Sequence, residues 1–84
     1  MVLTVGSVVL SKAGRDKGKL LTAVSVEERY VLLADGGERP LDNPKRKNIR
    51  HIAVTNTVLT AEQRISNRAL RKALSDLTGK GGML

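Results

Sequence analysis

With 84 residues, the chain has room for one small domain that buries only about 60% of its unfolded surface. It has no cysteine, so disulfide frames and thiolate metal sites are excluded, and Tyr30 is its one aromatic residue, so a core must be built from Val, Leu and Ile. The formal net charge of +7 divides unevenly, with five basic and four acidic residues over 1–36 (+1) and ten basic and four acidic over 37–84 (+6). An excess of that kind favours a polyanionic partner, nucleic acid before an anionic membrane surface.

Residues 5–10 read as a first strand, with Gly6 as a bend before the apolar run Val8, Val9 and Leu10. The loop AGRDKG follows, where Gly14 and Gly18 allow a sharp reversal. It carries Lys12, Arg15, Lys17 and Lys19 against one acid, Asp16, which offsets part of their field. Residues 19–26 alternate, with Leu20, Thr22, Val24 and Val26 on the side expected to face inward and Leu21, Ala23 and Ser25 on the other. After the polar reversal Glu27-Glu28-Arg29, residues 30–34 form a third strand, and Asp35-Gly36 is a hairpin signal. A short fourth strand is expected over 38–41, at an edge because Pro40 cannot donate to a ladder. Asp42-Asn43-Pro44 breaks the chain, and 45–54 passes from the charge run Lys45-Arg46-Lys47 into a fifth strand holding Ile49, Ile52 and Val54.

Five short strands in so few residues indicate a small antiparallel barrel over 1–58. The pattern then changes. Thr60 and Gln63 fit a capping box, and a helix is expected to run to Thr78 with Gly79 just beyond it, within a segment 59–79. Ile65, Ala69, Leu70, Ala73, Leu74 and Leu77 share one half of its circumference, and Arg64, Arg68, Arg71 and Lys72 the other. Residues 80–84 have no periodicity and are expected to be a flexible tail.

VGSVVLSKAGRDKGKLLTAV resembles the KOW motif, a strand, loop and strand unit of SH3-like barrels in ribosomal proteins and transcription elongation factors, with Gly18 at the glycine on which the motif depends. Leu21 stands where many KOW motifs have a second glycine. GKLLTAV, YVLLADG and the stretch RPLDNPKRKNIRHI are similar to a subgroup, the archaeal and eukaryotic ribosomal proteins fourteen-e, six-e and twenty-seven-e and the small bacterial KOW-domain RNA-binding proteins related to them. The resemblance covers residues 5–54. It implies a mainly β, SH3-like barrel with a C-terminal helix and a function in binding RNA, ribosomal RNA above all.

Three basic elements are candidates for RNA contact: Lys12, Arg15, Lys17, Gly18 and Lys19 in the loop; Lys45, Arg46, Lys47 and Arg50, a run that contains no acid; and Arg64, Arg68, Arg71 and Lys72 on the helix. Each has a plainer reading as a solvated charged surface, strongest for the helix. Tyr30 could stack on an unpaired base but is expected to pack at the barrel rim, and His51 has no companion ligand for a metal. No phosphate-cradling glycine loop, acidic pair or nucleophile constellation occurs, so no enzyme activity and no cofactor are expected. No apolar run approaches the roughly 18 residues of a membrane span and no signal peptide is recognisable, which leads us to expect a cytoplasmic protein, monomeric when free, with no membrane partner. The alternative is a protein-interaction module of SH3-like type in the translation or transcription machinery.

Overall fold

Alternating β-branched and leucine residues dominate the first half of the chain, and they pair into one antiparallel sheet. The computed structural model describes residues 2–79, and the tail expected over 80–84 lies outside them. The strands are β1 (Ser7–Ser11), β2 (Leu20–Val26), β3 (Tyr30–Ala34), β4 (Lys45–Asn48) and β5 (Ile52–Val58), in the order β4-β3-β2-β1-β5. One helix follows, α1 (Asn67–Gly79), and short 3-10 turns occupy Ile49–His51 and Glu62–Arg64. The two edge strands β4 and β5 are joined by a turn but share no ladder, so the sheet is not closed into a barrel.

The count of five strands agrees with expectation, but their division differs. Residues 38–41 form no strand, because side chains take the amides a ladder would need. Asp35 Oδ1 accepts from Gly37 N (2.8 Å) and Arg39 N (3.0 Å), and Asn67 Oδ1 accepts from Leu41 N (2.8 Å). The segment 45–54 is two strands, since Asn48 Oδ1 accepts from Arg50 N (2.9 Å) and turns the chain through Ile49–His51.

Both faces of the sheet are covered, which explains why β2 is apolar at consecutive positions. One face gathers Val9, Leu21, Ala23, Val31, Leu33 and Ile52. The other places Val8 and Ala34, with half-buried Leu20 and Val24, against Leu59, Leu70, Ala73 and Leu74. The side expected to be the inward face of β2 is thus the one beneath α1, while Leu21 and Ala23 are more completely buried on the opposite side. Val26 is exposed.

The capping box forms reciprocally, Gln63 N donating to Thr60 Oγ1 (3.2 Å) and Thr60 N to Gln63 Oε1 (2.9 Å). It closes only the 3-10 turn. The Ser66 hydroxyl then accepts from Ala69 N (3.1 Å), so α1 starts at Asn67 and Ile65 is 77% exposed rather than part of the apolar stripe. The helix seats on the Asp35-Gly36 turn. Gly36 has φ +82°, and a Cβ there would collide with the Asn67 carbonyl oxygen.

Candidate nucleic-acid interface

The loop between β1 and β2 is a braced structure. Gly14 and Gly18 adopt φ +77° and +87°, and Gly18 N and Ser11 N donate to Ser11 O and Lys19 O, both at 2.9 Å. Asp16 is almost fully buried, with Oδ2 3.3 Å from Arg39 Nη2. It therefore pairs with Arg39, and its charge acts on Lys19 in the loop as well. Lys19 Nζ lies 2.7 Å from Glu38 Oε1. That hydrogen bond and charge raise the lysine pKa above its ordinary value and lower that of the glutamate. Lys12, Arg15 and Lys17 are exposed and make no ion pair among the described residues.

Strand alternation splits the run 45–50. Lys45 and Lys47 pair with Leu33 and Val31, whose side chains face the buried cluster that includes Val9 and Leu21. Lys47 is turned onto the loop, where Nζ donates to Ser11 Oγ (2.8 Å) and Ala13 O (2.6 Å). A second tie, Lys12 N to His51 O (2.8 Å), joins the same two segments. Arg46 emerges on the opposite face, its guanidinium 3.8 Å from the centre of the Tyr30 ring, with Nε and Nη2 3.4 and 3.3 Å from Glu27 Oε1. Lys45 and Arg50 are exposed and have no ion pair among the described residues.

Two basic segments thirty residues apart therefore lie side by side, with a shallow cleft lined by Gly14, Lys45, Arg46 and His51 between them. The helix joins it only in part. Arg64 Nε donates to Leu59 O (3.3 Å), and Lys72 lies 3.7 Å from Asp76. Arg68 and Arg71 are exposed, and Arg71 shares a cleft with Gly18, Lys19 and Gly37 at the far end of the loop. Of thirteen candidate positions, Lys47 and Arg64 are thus committed to carbonyls of the chain itself, while Lys19, Arg46 and Lys72 are ion-paired.

Arg39 and Arg29 were not among the candidates. Arg39 organises the loop through Asp16; Arg29 flanks Arg50 across a groove. Neither is recognisable locally, because each is defined by a partner brought near by strand pairing. Among the described residues no group of three or more His, Asp or Glu could hold a metal, and no helix is long and apolar enough to cross a membrane. Compared with protein-family models and with curated proteins, the chain matches none.

Proposed function

We propose that the protein is a non-catalytic RNA-binding protein of SH3-like, KOW type that docks on structured RNA, ribosomal RNA foremost, in the cytoplasm. The observation that carries this reading is the joining by Lys47 of the β1–β2 loop, which carries Lys12, Arg15 and Lys17, to the segment that carries Lys45 and Arg50, with no acid paired to any of the five among the described residues. Such a surface attracts phosphates through counterion release, and its braced backbone lowers the ordering cost of binding. The KOW resemblance of residues 5–54 favours RNA over DNA. The strand order, with one 3-10 turn linking β4 to β5, supports the SH3-like assignment. Arg68 and Arg71 extend the contact along α1.

Crosslinking in cells with sequencing of attached RNA tests the reading. The wild type is expected to carry structured RNA, and a Lys45→Ala/Arg50→Ala variant to lose most of it. Association with the translation or transcription machinery that survives nuclease, together with an unchanged yield from the variant, would instead identify a protein-interaction module.

A further inference from the structure

The three residues of β3 that share the helix-side face are Tyr30, Leu32 and Ala34. Helix α1 covers the Ala34 end, and Tyr30 lies about 13 Å further along the strand. There a groove of about 410 Å3 is lined by Arg29, Tyr30, Asn48, Ile49 and Arg50. That volume is within the range of about 300 to 1,000 Å3 usual for small-molecule sites.

The groove is held by the turn that separates β4 from β5. Tyr30 pairs with Asn48 in the ladder, Ile49 N donates to Arg29 O (3.0 Å), and Asn48 Oδ1 accepts from Arg50 N (2.9 Å). With its oxygen so engaged, Asn48 presents its amide nitrogen as a donor. Arg29 and Arg50 are exposed and have no ion pair among the described residues. Ile49 is 38% exposed and belongs to neither buried cluster. Arg46, whose guanidinium lies 3.8 Å from the centre of the Tyr30 ring and is paired with Glu27, adds a third cation next to the groove's tyrosine.

We infer that this groove takes one unpaired nucleotide of the bound RNA, a refinement that rests on the RNA-binding reading above. A simple anion would find the two guanidinium groups but no use for the ring, the isoleucine and the amide. An apolar ligand would be met by two cations. An unstacked nucleotide matches both halves: its base lies against the Tyr30–Arg46 stack and Ile49 and accepts from Asn48, while its two flanking phosphates meet Arg29 and Arg50. The interface thereby reads an irregularity in a helical RNA, and paired RNA is held by the cationic surface alone.

Three RNA hairpins test this: one fully paired, one with a single unpaired adenosine in the stem, and one with an abasic residue at that place. The wild type is expected to bind the adenosine bulge roughly five- to 150-fold more tightly than the abasic bulge, the span that stacking of one base gives. Arg29→Ala, an exposed substitution, is expected to weaken the adenosine and abasic bulges by the same factor, since both keep the flanking phosphates, while keeping its affinity for the paired hairpin. Lys17→Ala should weaken all three hairpins by the same factor. Equal affinity of the wild type for the adenosine and abasic bulges overturns the nucleotide site and leaves RNA binding standing; failure to bind any of the three overturns both.

Discussion

Lys47 illustrates how a cation in a basic run acquires a structural task. Lys47 is half-buried and its ammonium donates to Ser11 Oγ and Ala13 O, so Lys47→Met, which keeps the aliphatic stem, should destabilise the protein by about 1–3 kcal/mol in urea unfolding. Hydrogen exchange in the loop should accelerate. A variant of unchanged stability would show that the contact contributes nothing to the brace. Two glycines give a second comparison. At Gly18 an added Cβ meets nothing within 4 Å, so Gly18→Ala should cost only the left-handed conformation, about 1–2 kcal/mol. At Gly36 the same methyl meets the backbone of Asn67 and Arg71, and overpacking adds about 1–3 kcal/mol more. Thermal unfolding of the pair should therefore rank Gly36→Ala clearly below Gly18→Ala.

Among the elements, α1 is bound to the sheet chiefly by Leu70, Ala73 and Leu74 over Val8 and Ala34. Leu70 is fully buried, and Leu70→Ala should cost about 2–5 kcal/mol, read as a lower denaturation midpoint with helix and sheet still unfolding together. Helix loss before sheet loss would mean that α1 is an independent unit. The loop is also tied to residues 38–39 by Lys19–Glu38 and Asp16–Arg39. The first pair is exposed, so its effect is small and screened by salt. It is lost as pH falls through the lowered pKa of Glu38 and, separately, as pH rises through the raised pKa of Lys19. Between the ordinary carboxylate and lysine ranges, Glu38→Gln should therefore shift the melting temperature slightly at low salt, and the shift should vanish in acid.

The β1–β2 hairpin was legible in the sequence because its signals are local: two glycines, a polar loop and apolar runs on either side. The end of the sheet was not. Its division depends on Asp35, Asn48 and Asn67 taking particular backbone amides, and one of those bonds spans 26 residues. The capping box was legible but not its limit, because Ser66 offers a second cap three residues after Gln63. Cations could be counted in advance, whereas their neutralisation could not. Asp16 finds Arg39 and Lys47 finds Ala13 only after the strands pair.

Over the whole molecule, the net charge of +7 favours a polyanionic partner. Lys12, Arg15, Lys17 and Lys45 belong to the joined loop and edge strand, and Arg50, in the turn that follows, also lines the groove with Arg29. Affinity for a paired RNA hairpin as a function of salt measures this arrangement most directly. If about five phosphates are neutralised, affinity should fall on the order of five-hundredfold between about 50 and 200 mM salt. Replacing those five residues by alanine should remove most of the slope while the far-ultraviolet circular dichroism stays unchanged. Binding that is insensitive to salt, or a slope that survives the five substitutions, would contradict the account.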